Sequence, residues 1–308
     1  MRLIFMGNPE FAVPSLRRLV AFDHDLAAVV TSPDRPVGRG RRLQPTAVAA
    51  VASELNLPLL QPDSLRDPDF HQQLTELHPD LLVVVAFRIL PQTILTVPTR
   101  GTVNLHGSLL PRYRGAAPIQ RALINGDSST GLTTFLVEPS IDTGNILDQI
   151  EVPITADDDY GSLAERMSRI GADLLEGTIA RLQQGVPGSI RQNEQLVTRA
   201  PKITRELCHI DWQATATEIH NLIRGLAPEP AAFTILGGQR LKIFRSAVTT
   251  TTKTGEPGLV LQHTDEELVI QTGRGALAIL ECQLEGKRRL LVTDFLRGSP
   301  VKAGDRLK

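Results

Sequence analysis

The chain holds 308 residues, too many for one small domain and enough for two of unequal size. Its 41% apolar and 22% charged residues are those of a globular protein with a core in each part, which excludes long disorder. A formal net charge of −1 excludes attraction of nucleic acid by the whole-molecule field, so any polyanion site must be local.

Residues 1–7 are apolar for only a short run before Asn8-Pro9-Glu10. They predict a buried strand and a turn, too short for a signal-peptide core or a membrane span, so the protein is expected in the cytoplasm without a membrane partner. Residues 11–19 have helical spacing, residues 26–30 are strand-like, and residues 31–45 are polar and broken by Pro and Gly. Residues 47–55 and 70–77 read as helices. Residues 81–85, a run of Leu and Val, suit a strand covered on both faces. This alternation predicts an α/β fold, a Rossmann-like, mostly parallel sheet with helices on both faces. Gly7 lacks the companion glycines of a dinucleotide fingerprint, which argues against a nicotinamide cofactor.

Leu163, Met167, Ile170 and Leu174 repeat at three and four residues, as one stripe of a long amphipathic helix requires. Asp157 and Asp159 stand near its start, where negative charge suits the helix dipole, and Gly185, Pro187 and Gly188 end it. A first domain is expected over residues 1–188, and the polar, Pro-broken residues 189–205 read as a linker. Residues 206–308 form the expected second domain. It opens on a helix near 214–224 and continues in strand-like pieces near 241–244, 259–262, 268–271, 276–280 and 289–292. Glycines punctuate these pieces, a pattern that predicts a small OB-like β-barrel. Cys208 and Cys282 lie far apart without metal-ligand spacing, so they read as reduced structural thiols and no metal is expected.

The chemistry concentrates between Gly101 and Asp142. Asn104 and His106 are two residues apart on an extended segment and point the same way. A broken loop at 108–115 follows, then a short helix with Pro118 early in it. Asp142 comes in the turn Asp142-Thr143-Gly144. An amide, an imidazole and a carboxylate near strand ends can form an acyl-transfer site. The amide donates to an oxygen gaining negative charge, the imidazole does so when a carboxylate holds it protonated, and the carboxylate assists proton movement. An amine acceptor needs no serine or cysteine nucleophile. Spacing alone equally fits a histidine hydrogen-bonded inside a sheet and an aspartate capping a turn.

Asn104, His106, the Ser-Leu-Leu-Pro loop at 108–111 and Asp142-Thr143-Gly144 together resemble the signature of folate-dependent formyltransferases. The resemblance runs along nearly the whole chain and is nearest to the tRNA-formylating branch. Residues 7–12 (GNPEFA), 33–45 (PDRPVGRGRRLQP), 112–121 (RYRGAAPIQR) and Ile210-Asp211-Trp212 carry it. It implies Asn104, His106 and Asp142 as the catalytic trio. It implies Ser108, Leu109, Leu110, Pro111, Arg88 and Ile89 as contacts to 10-formyltetrahydrofolate, the co-substrate. The acceptor it implies is the α-amino group of initiator methionyl-tRNA, formylated for translation initiation by a monomeric enzyme whose second domain contacts tRNA.

Arg35, Arg39, Arg41 and Arg42 stand against one acid, Asp34, in the segment 31–45. By composition they fit either a solvated loop or a mobile contact to phosphates; the resemblance implies tRNA contact. Three positions depart from the family pattern. Arg88 stands where the tRNA-formylating branch usually carries glycine, and an arginine there is more typical of amino-sugar formyltransferases. Asn8 replaces the usual Thr, and Glu229 the usual aromatic.

Overall fold

Leu3, Ile4, Phe5 and Met6 are fully buried, as a central strand with both faces covered requires. They lie in β1 (Arg2–Gly7) of a computed structural model that describes residues 1–22, 24–37, 42–185, 188–251, 254–264, 266–298 and 301–308. Next come α1 (Val13–Ala21), β2 (Asp25–Val30), β3 (Arg35–Val37), β4 (Arg42–Gln44), α2 (Ala47–Glu54) and β5 (Leu59–Leu60). They are followed by α3 (Pro68–Glu76), β6 (Leu81–Val85), α4 (Gln92–Leu95), β7 (Thr102–His106) and β8 (Arg114–Gly115). Beyond these lie α5 (Pro118–Ile124), β9 (Ser129–Leu136), β10 (Ile146–Pro153) and α6 (Tyr160–Gln183). Among the described residues no helix is long and apolar enough to cross a membrane.

The chain forms two compact units. The first comprises Met1–Gly115, Thr130–Pro153 and Ala164–Ala200; the second comprises Ala116–Ser129, Ile154–Leu163 and Pro201–Lys308. Residues 189–200, part of the expected linker, therefore belong to the first unit. There β11 (Arg199–Ala200) pairs in parallel with β8, and Ile190 bridges Ile146.

A seven-stranded sheet in the order β10-β9-β7-β6-β1-β2-β5 is the frame of the first unit. The strands β5, β2, β1, β6 and β7 run parallel, and β9 runs antiparallel to β7. The chain leaves β1 toward β2 on one side and later returns to β6 on the other. At such a reversal the loops leaving the carboxyl ends part and open a crevice. On one face Ile4, Met6, Val30, Leu82 and Val84 pack with Phe70, Leu74 and Ile94 from α3 and α4. α6 covers the other face near β7 and β9. A Cβ on Gly171 would sit 2.8 Å from the Leu105 side chain, and the Thr178 and Thr134 hydroxyls meet at 2.9 Å. The α/β sheet expected from the alternation is present.

The second unit contains α7 (Ala216–Leu226), β12 (Ala232–Leu236), β13 (Gln239–Thr249), β14 (Val260–His263) and β15 (Leu268–Gln271). It ends with β16 (Ala276–Leu284), β17 (Leu290–Leu291) and α8 (Val292–Leu296). The strands form a curled antiparallel sheet, β12-β13-β16-β15-β14, with β17 on β16. The C-terminal residues join its two edges. Lys308 exchanges backbone hydrogen bonds of 2.8 and 3.0 Å with Ile235 of β12, and Val260 of β14 donates to Asp305 at 2.9 Å. Thr215 and Glu218 form a capping box at the start of α7, whose Ile219, Ile223 and Leu226 enter the core with Trp212.

Several elements differ from the sequence reading. β12 was not among the expected strands, and β13 is longer than the piece expected at 241–244. Register shifts at Phe244 and Arg245 break its period of two, which hides the strand from a pattern search. Within the segment 31–45, read from sequence as a broken polar stretch, β3 pairs antiparallel with β4.

Candidate active site

The alternation of β7 sends Leu105 to the α6 face and Asn104 and His106 to the other, beside Val84 of β6. His106 is 7% exposed, and its ring meets Phe135 edge to face at 6.4 Å. Its Nε2 lies 2.9 Å from the Tyr113 carbonyl. A carbonyl only accepts, so Nε2 carries the proton in the neutral ring. Nδ1 faces Asp142, with 3.8 Å to Oδ2, too long for a hydrogen bond. Asn104 Oδ1 is buried without a hydrogen-bond partner. A half-buried amide whose Oδ1 is unmet, beside such a ring, offers polar atoms to a ligand group.

Asp142 takes φ +54°, the left-handed region, and its turn needs Gly144, where a Cβ would overlap the Leu136 carbonyl oxygen. The carboxylate accepts from the Gly115 backbone N–H at 2.8 Å. Gly115 itself has φ +130°, and a Cβ there would lie 2.5 Å from the Ala200 oxygen. Gln192 fixes the turn from behind, with Nε2 donating to the Asp142 and Gly144 carbonyls at 2.8 Å each. Its Oε1 accepts from Arg114 Nε and Nη2 at 3.0 and 2.8 Å, and Glu194 grips the same guanidinium at 2.7 and 3.1 Å.

The 108–111 loop is locked rather than open. Ser108 is fully buried and its hydroxyl donates to the Arg112 carbonyl at 2.6 Å. Thr133 donates to the Ser108 carbonyl and accepts from Leu110 N–H and from Gln149, which also donates to the Leu110 carbonyl. Leu110 packs with Phe135 and Ile146, and Pro111 is buried. Of the four loop residues only Leu109 keeps partly exposed surface. Ser108 therefore shapes the loop from inside and presents no hydroxyl at its surface.

At the β1 and β2 ends, Asn8 Oδ1 accepts from Thr31 Oγ1 at 3.0 Å and from Ser32 N–H at 2.8 Å, so the unusual Asn8 ties the two loops together. Beyond β6, Arg88 donates to the carbonyls of Pro62 and Asp63 at 3.0 and 3.1 Å. Burial and the like charge of Arg35 push its guanidinium below the usual arginine value. Ile89 beside it is 72% exposed. Arg35 and Arg42 stand exposed on β3 and β4, and neither forms an ion pair among the described residues. Arg39 and Arg41, also expected as tRNA contacts, lie outside the described residues.

The sequence reading brought Asn104, His106 and Asp142 together, and the structure does the same. It assigned no part to Gln192, Arg114, Tyr113, Thr198, Thr133 or Gln149, which hold the site's loops. Gln192 and Thr198 fell in the segment read as linker; a lone polar residue in such a stretch carries no periodic signal.

Two family models match the chain: "Formyl transferase" over residues 1–179 and "Formyl transferase, C-terminal domain" over residues 202–300. A Geobacter metallireducens protein named methionyl-tRNA formyltransferase is 44% identical over 308 residues, covering 100% of this chain and 98% of that protein. A protein of the same name from Caldanaerobacter subterraneus subsp. tengcongensis is 44% identical over 310 residues and covered completely. The solved N-formyltransferase of Helicobacter canadensis, in complex with folinic acid and dTDP-3-aminofucose, has a TM-score of 0.69 at 22% identity. That match covers 91% of this chain and 98% of that one, and shows a shared fold. With both models matched in order and full-length relatives at this identity, the chain belongs to the formyl transferase family of enzymes.

Proposed function

We propose that this chain transfers the formyl group of 10-formyltetrahydrofolate to the α-amino group of methionyl initiator tRNA, acting as a cytoplasmic monomer. One observation carries the chemistry: the unpartnered amide of Asn104 stands on the same strand face as His106, whose only uncommitted nitrogen faces Asp142. The acceptor follows from the name borne by relatives 44% identical over the full chain.

The neutral amine adds to the formyl carbon, a new C–N bond forms, and the carbonyl electron pair moves onto oxygen. Asn104 donates its amide N–H to that oxyanion. Nδ1–H of the protonated His106 ring is the second donor, because Nε2 is already bound to Tyr113. Asp142 Oδ2, facing Nδ1, takes the proton lost by the attacking amine and returns it, through the ring or a water, to N10 of the folate. The oxyanion then reforms C=O, the C–N10 bond breaks, and tetrahydrofolate leaves. Leu109 and Ile89 offer the partly exposed apolar surface that can border the folate. Arg88 contributes through the Pro62–Asp63 loop that it holds. Arg35 and Arg42, exposed on the paired strands β3 and β4, meet tRNA phosphates.

The test is formyl transfer from 10-formyltetrahydrofolate to charged initiator tRNA, charged elongator tRNA and an amino-sugar nucleotide. Formylation of the initiator alone supports the reading. Formylation of the sugar with both tRNAs inert would leave the chemistry and remove the acceptor. A double Arg35→Ala, Arg42→Ala variant is expected to raise KM for tRNA and to flatten its salt dependence.

A further inference from the structure

We propose that residues 190–200 are a positioning strap that sets the His106–Asp142 geometry, with Gln192 and Thr198 as its two fixing points. The inference rests on the formyl-transfer reading above. The strap lies between the two matched family models, which end at 179 and begin at 202.

Both residues that define the pair's geometry sit in backbone conformations they do not favour. Asp142 has φ +54°, and Tyr113, whose carbonyl binds His106, has φ +59°. A bulky side chain at positive φ persists only where its surroundings over-determine it. The strap supplies both constraints. Gln192 is 5% exposed and binds the carbonyls of Asp142 and Gly144, on either side of the turn. Thr198 Oγ1 accepts the Tyr113 backbone N–H at 2.8 Å, one residue before β11 pairs with β8.

The ends of the strap are tied as well. Ile190 exchanges two backbone hydrogen bonds of 2.8 Å with Ile146, and β11 holds the other end. In the middle Arg114, with its side chain 9% exposed, is clamped between Gln192 and Glu194. Gln192 makes four hydrogen bonds, two donated and two accepted, a pattern that a carboxylate cannot reproduce because it has no donor. One segment thus fixes the partner of Nε2 from one side and the carboxylate facing Nδ1 from the other.

The substitutions separate positioning from simple support. Gln192→Glu keeps the grip on Arg114 but loses both donors to the turn. Thr198→Ala frees Tyr113 N–H, and Thr198→Ser restores the hydroxyl. In single-turnover formyl transfer by the full chain, Gln192→Glu and Thr198→Ala are expected to lower kcat on the order of 10-fold to 100-fold. KM for tRNA and for folate should stay within about twofold, because the strap acts on the chemical step. Thr198→Ser should recover most of the rate. Independently of activity, 15N NMR of His106 in its neutral form should show the Nε2–H tautomer in the unaltered chain and in Thr198→Ser, and a mixture in Thr198→Ala.

Lowered melting temperature with unchanged kcat, or an unchanged tautomer in Thr198→Ala with full activity, overturns the proposal. If Asp142→Asn abolishes transfer while Gln192→Glu and Thr198→Ala leave it intact, the strap alone fails. If the unaltered chain formylates no amine, the functional reading fails and the catalytic part of the inference falls with it.

Discussion

Asn104 and His106 leave β7 on the same face, but their polar atoms are used in opposite ways. His106 Nε2 is bound to the Tyr113 carbonyl at 2.9 Å, whereas Asn104 Oδ1 is buried with no partner. An unmet buried polar group costs stability that only a ligand can return. Asn104→Ala also removes the amide N–H that donates to the oxyanion, and is expected to lower turnover on the order of 100-fold to 1,000-fold. The melting temperature should hold or rise, since no internal hydrogen bond to Oδ1 is lost. Single-turnover kinetics beside a thermal melt check both halves; near-normal turnover would remove Asn104 from the oxyanion role.

Gly144→Ala tests the turn. The added methyl would overlap the Leu136 carbonyl oxygen, so either β9 or the Asp142 turn must move. Backbone on both sides makes relief expensive, and a loss of about 3 kcal/mol or more is expected in denaturant titration. A variant as stable as the parent would show that the turn yields more easily than its packing implies.

Removing residues 305–308 should open the curled sheet of the second unit. Deletion breaks the backbone bonds of Ile235 with Lys308, of Val260 with Asp305 and of Gly258 with Leu307, and the Thr234 hydroxyl loses Lys308. Each is worth roughly 1 kcal/mol, and the buried Leu307 side chain adds to the loss. A calorimetric scan should show the transition of this unit moved well down in temperature; an unmoved transition would mean that the edge strands hold without the tail.

His220 gives the second unit a pH dependence. Burial, helped by the positive charge of Arg224, holds its imidazole below the ordinary value of 6.5, against a weaker opposing hydrogen bond with Ser246. Below about pH 6.5 the unfolded chain takes up the proton first, so it binds more protons than the folded one and stability falls with pH. Above that range the group adds no slope. Melting temperatures between about pH 7.5 and 5.5 should fall less in His220→Gln than in the parent. Parallel curves would assign the acid sensitivity to other groups.

How much of this was legible beforehand depended on the range of the interaction. β6 announced itself because a run of Leu and Val has no alternative to a doubly covered strand. α6 was legible because Leu163, Met167, Ile170 and Leu174 mark one stripe. β13 was legible only in part, because its bulge at Phe244 and Arg245 cancels the alternation. The pairing of β3 with β4 was not, because these short strands carry Arg, Pro and Gln rather than an apolar face.

The sequence by itself determined that Asn104 and His106 share a face, since a strand has a period of two. It also placed Asp142 in a turn, Asp142-Thr143-Gly144. Only the tertiary structure decided which imidazole nitrogen stays uncommitted and how near the carboxylate stands to it. The physical reason is distance along the chain. The hydrogen bond from Gln192 to the Asp142 carbonyl spans 50 residues, and that from Tyr113 to Thr198 spans 85. Local propensity fixes φ, ψ and side-chain alternation over a few residues, whereas bonds of that reach exist only after both loops have been brought to the same end of the sheet.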